Sequence, residues 1–543
     1  MFKSSKFIAV ASLIVIGSGA AKAQTEINTS VLEARATKIG SIYYEIGDVF
    51  DLTNPEEDKR LYRLANRAHI TTRRSTLENI LLVEPNDQFE SRLLEESARA
   101  IRAAGYISEA SVTPVNYDEL NNTVDVQVTT RDAWSLTPEL KLSRNGGVNE
   151  YGFGVAEENL LGLGKSLTAS YSSDVDRDET FFEYFDPNVR STRTRLNVIL
   201  ADTSDGQRTQ FNVGRPFYAL DSRWAIESAF NSTDRIDPIY GLGEVIDEFN
   251  HEIRAFSLGG GWSKGLRELR ALRWLVGINL EEDRFYPSAE FPNTVLLPED
   301  RKLAFPWFGL QIAEDDFRKM TELNDIGRTE DVPLGLALTV KVGYSSDNFG
   351  SDRNAVILRS DFHKGWEPGG AGRLLLFDAT AAARKEELRT RNVLITSSFR
   401  YFQRNLKDQL FSASISATVG NRIDAEDQIL LGGATGLRGY PIRYQSGEGS
   451  AVLTLEQRFF TDWYPLRLLR VGYAVFFDIG RVWGTDARNT IRHGTLYDIG
   501  VGLRLSSPRS STRSVVHIDL AFPVNGPGDV DSVQLSVEKR AAF

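Results

Sequence analysis

Three sets of residues have types and spacings that could do chemistry. Gly261-Trp262-Ser263-Lys264-Gly265 has the spacing of a nucleophile elbow. That device needs a buried strand, a strained turn and a helix, and here the segment closes an alternating strand pattern. Gly164-Lys165-Ser166 looks like the end of a phosphate-binding loop, but Asn159 stands where the first glycine is required; the segment reads as a tight turn between strands. His69, His251, His363, His493 and His517 are isolated, with no metal-ligand spacing. The chain has no cysteine, which removes thiolate chemistry and disulfides. The expectation is a protein that is not an enzyme, with no catalytic residue, no cofactor and no metal. One charged group keeps its interest. Arg438 lies in Leu430-Leu431-Gly432-Gly433-Ala434-Thr435-Gly436-Leu437-Arg438-Gly439-Tyr440, and its guanidinium can hold carboxylates through forked hydrogen bonds that lysine cannot make. Gly436 and Gly439 allow a tight turn and close approach of the backbone.

Carboxylates able to meet it follow from the strands that come next. After Asp132-Ala133-Trp134 the chain has no convincing amphipathic helix and alternates with period 2. Tyr497, Ile499, Val501, Leu503 and Leu505 alternate with Leu496, Asp498, Gly500, Gly502 and Arg504; Val516, Ile518, Leu520 and Phe522 alternate with His517, Asp519 and Ala521. Val533, Leu535, Val537, Ala541 and Phe543 share a face that only Lys539 breaches. With Leu453, Leu455 and Phe459 on the apolar face, Glu456 points the other way. Asp478 does the same between Phe477 and Ile479. Many segments reach the roughly 9–11 residues that a tilted strand needs to cross a bilayer. Their polar faces are too rich in Ser, Thr, Arg and Asp for a dry core, and only a closed barrel satisfies every backbone group in lipid. The fold class expected is a small α+β domain followed by a transmembrane antiparallel β-barrel. The strand count runs from 16 to 20, because weak segments between Trp262 and Arg404 could be hairpin extensions above the membrane.

The N-terminal part reads differently. Residues 1–23 have the basic start, short apolar stretch and Ala21-Lys22-Ala23 ending of a signal peptide. Residues 24–38 are a spacer. A domain over 39–132 starts with a strand at Ile39–Phe50. A helix capped by Asn54, with Pro55 and Glu57 in its first turn, runs to Ala68. Two more helices follow at Thr76–Val83 and Phe89–Ala104, with Gly105 as C-cap. Strands at Ile107–Val115 and Thr123–Thr130 close the unit, the second as an edge. The barrel takes 133–543, with a long loop at 421–449. A net charge of −11 argues against a nucleic-acid partner. A mean hydropathy of −0.28 is compatible with alternation of lipid- and lumen-facing residues.

The Arg-Gly-Tyr tip at Arg438-Gly439-Tyr440, the strands after it and the terminal Phe543 resemble the outer-membrane insertases and translocators of the BamA, TamA and FhaC type. These are bacterial surface antigen barrels with polypeptide-transport-associated (POTRA) domains. The resemblance extends from the α+β unit, which looks like a single POTRA domain, to the C-terminus. It implies a 16-stranded barrel in the bacterial outer membrane, with the POTRA unit in the periplasm. It also implies that the long loop at 421–449 is inward-folded, forming a lumenal latch of Arg438, Gly439 and Tyr440 with Glu456 and Asp478, and it implies Phe543 as an assembly signal. The implied function is insertion or translocation of polypeptides. Alternatives are a two-partner-type secretion pore for a dedicated substrate, or a lipid-handling or structural barrel. The implied partners are unfolded or secreted polypeptide clients, outer-membrane lipids and the resident barrel-assembly machinery for the protein's own insertion.

Overall fold

The computed structural model describes residues 27–541 apart from 371, 387–388, 485–493, 527 and 529. The expected signal peptide, His493 and Phe543 lie outside the described residues. The chain first forms a small domain. Its elements are α1 (Thr29–Ala34), β1 (Lys38–Gly47), α2 (Arg60–Ala68), α3 (Arg74–Ile80), α4 (Ser91–Ala103), β2 (Ile107–Asp118) and β3 (Thr123–Asp132). The segment read as a spacer thus holds a helix, which Asn28 caps by accepting a hydrogen bond from the Ser30 N–H at 3.1 Å.

β3 pairs in parallel with β1 and antiparallel with β2, giving the order β1-β3-β2. Thr123–Thr130, expected at an edge, is therefore the central strand. The parallel β1–β3 pairing needs a helical crossover, and that crossover carries the last strand into the middle. Val124, Val126 and Val128 are fully buried against Ile39, Leu77, Phe89, Leu94 and Ile101. Because this core is drawn entirely from residues before 133, we expect a fragment of residues 24–132 to be soluble without detergent. A single cooperative thermal transition by circular dichroism is the expected result, and a fragment melting without cooperativity would contradict it.

Two helix ends differ from expectation for the same reason. Asn54 accepts a hydrogen bond from Glu56 N–H at 3.1 Å in a turn, but α2 begins only at Arg60. Glu57 is not a helix-capping group. It accepts the Asp51 N–H at 2.8 Å and pairs with Arg509 at 2.5 Å, fastening the segment to a barrel turn. Gly105 does not cap α4, whose C-cap is Ala104 in an extended conformation. A Cβ on Gly105 would lie 3.1 Å from the Ser511 carbonyl oxygen, so glycine serves a close approach between domain and barrel.

The remaining chain closes a barrel of 20 antiparallel strands, from β4 (Leu136–Asn145) and β5 (Val148–Glu157) to the last strand, Gln534–Ala541. The expected 16 is thereby corrected. Six of the segments left uncertain, from Arg270–Pro287 to Arg389–Leu406, all pair into the wall. Between Trp262 and Arg404, the described hairpin that stays out of the wall is Phe317–Thr321 with Thr329–Pro333. It lies at the mouth that carries the N-terminal domain, called here the near mouth, where Arg99 reaches Asp315 and Arg102 reaches Asp331. Leu140, Leu142, Phe153, Val276 and Ile499 stand exposed on the outer wall, an apolar belt suited to lipid. No described helix is long and apolar enough to cross a membrane.

Candidate functional site

The strand Gln409–Asn421 ends at the far mouth, and the segment up to Gly449 folds back into the lumen. Short pairing of Ile429–Leu431 with Gln445–Gly447 closes the base of this loop. Its tip turns through Gly432, Gly433 and Gly436, whose φ values of 133°, 52° and 111° favour glycine. Leu437 and Tyr440 are fully buried with Leu431, Tyr444, Val452, Val482 and Leu496. The loop is thus packed against the wall by an apolar cluster as well as by charge.

Arg438 is 3% exposed and grips three carboxylates. Its Nε donates to Asp478 Oδ2 at 2.8 Å and its Nη2 to Asp478 Oδ1 at 3.0 Å, a two-pronged contact. Nη1 reaches Glu456 Oε2 at 3.1 Å and Asp519 Oδ2 at 3.0 Å. The guanidinium lies over the Phe476 ring at 3.3 Å, a stacking that lysine cannot reproduce. The Gly439 N–H donates to Asp498 Oδ2 at 3.0 Å, and a Cβ on Gly439 would sit 2.7 Å from the Asp498 Cβ. The Tyr440 hydroxyl donates to the Tyr497 carbonyl at 2.9 Å.

The structure therefore brings together the residues singled out from the sequence, Arg438, Gly439, Tyr440, Glu456 and Asp478. It adds Asp498, Asp519 and Arg504, which sequence reasoning did not assign to the site. Arg504 donates to Glu456 at 2.9 Å and also binds Asp519. The signal for these was present, since all three occupy polar faces of alternating strands. Missing was the register: Asp478 pairs opposite Asp498, and Gly502 opposite Asp519.

Further along the loop, Arg443 binds Asp176 in a far-mouth turn at 2.7 Å and stacks over Tyr240 at 4.2 Å. Burial acts to raise the Asp176 carboxyl, but hydrogen bonds from Arg443 and Tyr240 outweigh it and hold the group below its usual range. Ile442 N–H reaches the Gly146 carbonyl at 3.3 Å, in the turn between β4 and β5. The loop is consequently fixed on both sides of the barrel seam. That seam is thin. Eight residue pairs join Ser514–Pro523 to Gln534–Ala541, whereas among the described residues Val537–Arg144 alone joins the last strand to β4. The side chains of Asn145 and Glu538 bridge it as well.

The hairpin at the near mouth is the second feature not read from the sequence as part of the site. Leu323, Val332 and Leu334 pack on Leu374, Leu376, Phe402 and Leu410 inside the wall. Arg102 of α4 holds Asp331 through two bonds of 2.7 Å, and Arg328 donates to the Ile107 carbonyl at 2.8 Å. Glu330 accepts the backbone N–H groups of Leu323 and Asn324 at 2.8 and 3.1 Å; its burial nonetheless keeps the carboxyl above its usual range. Arg458 links hairpin to latch: it donates to the Leu323 carbonyl at 2.7 Å and to Glu456 at 2.7 Å. A continuous polar path thus runs from α4 through the hairpin to Arg438.

Residues 394–538 match the model of the Omp85 superfamily domain, and no curated protein matches the chain. Among solved structures, BamA from Haemophilus ducreyi lacking POTRA domains 1–3 is similar over 92% of this chain and 84% of its own, with 11% identity and a TM-score of 0.39. CdiB from Acinetobacter baumannii is similar over 93% and 74%, with 12% identity and a TM-score of 0.47. For CdiB from Escherichia coli the values are 97%, 93%, 13% and 0.38. The matched segment contains Arg438, Glu456, Asp478 and Asp519, so the latch lies within the part of the chain that is similar to the Omp85 superfamily domain.

Proposed function

We propose that this barrel inserts or translocates polypeptides at the bacterial outer membrane, with its N-terminal domain acting as a POTRA unit in the periplasm. The observation that carries the reading is the seam. Among the described residues one strand-register pair joins it, against eight at the neighbouring strand pair, and the Arg438 loop bridges its two sides. A seam so weakly paired offers free backbone groups to an incoming strand. The Omp85 domain supports the polypeptide as client class. The N-terminal sheet supports a receiving role, since β1 and β2 are its edges and extended clients can add to such an edge. Phe543 fits an assembly signal read by the resident machinery, and outer-membrane lipids surround the wall.

The test exploits the absence of cysteine. Arg144→Cys with Val537→Cys creates a pair across the seam that can be oxidised. Insertion is expected to stop on oxidation and to return on reduction, with heat-modifiable mobility unchanged. Full activity of the oxidised pair would exclude passage through the seam and favour a secretion pore through the lumen. Photocrosslinks from β1 that capture lipid rather than polypeptide would point to a lipid-handling barrel.

A further inference from the structure

The helix α2 has three faces. Tyr62 is buried, stacked on Phe50 at 4.5 Å, and its hydroxyl donates to the Leu466 carbonyl at 2.8 Å, which docks the helix on a near-mouth barrel turn. Leu61 and Leu64 form a second face, 57% and 62% exposed. Arg60, Arg63 and Arg67 form the third, with Lys59 just before it; of the acidic residues that precede it, Asp58 is taken by Arg63 at 3.1 Å, Glu56 by Arg467 and Glu57 by Arg509. Nothing in the α+β core needs exposed leucines here. The barrel turn that α2 docks on continues them, because Trp463 and Leu466 are 61% and 67% exposed. Leu466 is moreover held at φ 52°, a conformation costly for a branched side chain.

We propose that α2 is an interfacial helix. Leu61 and Leu64, together with Trp463 and Leu466, enter the acyl region of the near leaflet, and Arg60, Arg63 and Arg67 bind the phosphates of anionic phospholipids there. Two observations select a lipid surface over a protein partner. The leucines run on from a turn of a barrel whose own apolar belt already sits in lipid, so both patches share one bilayer. The cations flank the leucines along the helix, the arrangement that lets guanidinium groups reach headgroups while the apolar face is buried. A tryptophan at the barrel rim marks the same level. The proposal rests on the barrel spanning a membrane and, for naming the leaflet periplasmic, on the orientation given above. It does not depend on what the barrel moves.

Single-cysteine labelling of the full chain tests it. Leu64→Cys carrying a bimane fluorophore, in vesicles of phosphatidylethanolamine and phosphatidylglycerol, is expected to show blue-shifted emission. Brominated acyl chains should quench it and aqueous iodide should not. The control is Leu120→Cys, at a 98% exposed position in the β2–β3 turn, for which the two quenchers should reverse. Arg60→Gln with Arg67→Gln should bring loss of acyl-chain quenching at Leu64, while heat-modifiable mobility stays normal. Iodide quenching of the Leu64 label equal to that at Leu120 would overturn the proposal. Shielding from both quenchers would overturn it too, by showing that protein covers the helix. Normal seam-dependent insertion with either outcome separates this inference from the proposed function.

Discussion

Arg438→Ala is expected to give a barrel that assembles yet no longer holds its far-mouth loop. The substitution strands Glu456, Asp478 and Asp519, each 3% exposed or less, beside one another. Removing one member of a buried charge network costs on the order of 3–5 kcal/mol, whereas an exposed pair is worth about 1 kcal/mol or less; the burial here selects the larger figure. Arg504 and Arg458 remain on Glu456, so the strands keep part of their charge balance and the loop takes most of the loss. Arg438→Lys should rescue poorly, because one ammonium cannot hold both Asp478 oxygens and stack on Phe476. Protease cleavage within residues 422–448 on intact cells, together with insertion activity, measures the effect. Wild-type protease resistance in Arg438→Ala would show that the apolar cluster alone holds the loop.

Replacing Phe317–Pro333 by a short Gly-Ser linker should produce the largest change in pore behaviour. Barrels of about 16–18 strands already leave an aqueous channel, so a wall of 20 strands needs filling. The far side is filled by the latch loop and the near side by this hairpin. The deletion touches no strand of the wall, so assembly should be retained. Planar-bilayer recordings should pass from small, rare openings to a large steady conductance. Arg458→Ala, which cuts the link between Leu323 and Glu456, should lie between the two. A deletion variant as closed as the wild type would mean that the loop alone seals the lumen.

Much of this architecture was legible from period 2. Alternation along Tyr497–Leu505 and Val516–Phe522 marks wall strands, and the same rule turns Glu456 and Asp478 inward before any contact is known. What one strand cannot tell is which residue of its neighbour it faces. Asp498 and Asp519 therefore stayed on a polar face without an assigned role. The strand number failed for a different cause. The resemblance favoured 16, while weak segments such as Ala337–Ser345, with Lys341 among its valines, pair fully into the wall. Local signals also misled where a distant partner outweighed them. Asn54-Pro55 is a good helix start, but Glu57 is held by Arg509 instead, and α2 starts later. The hairpin around Gly327 was unreadable as a plug, since its buried leucines meet residues of strands far along the chain.

The docking of α2 and the latch share one property with a kinetic consequence. Tyr62 finds its partner at Leu466, 404 residues later, and Glu57 finds Arg509 after 452; Arg438 awaits Asp519, 81 residues on. Contacts this remote in sequence form slowly, because loop-closure entropy must be overcome first. Full docking needs the barrel turns that hold Leu466 and Arg509, and the latch needs the strand Ser514–Pro523 that carries Asp519. The N-terminal domain, the first to emerge and able to fold on local contacts, must then wait undocked with Tyr62 uncovered. Chains arrested before residue 466 should leave Tyr62 open to chymotrypsin, and completed chains, in which it is buried, should protect it. Docking and latching would thus report that the wall has been built as far as Ser514–Pro523, a checkpoint that follows from chain order alone.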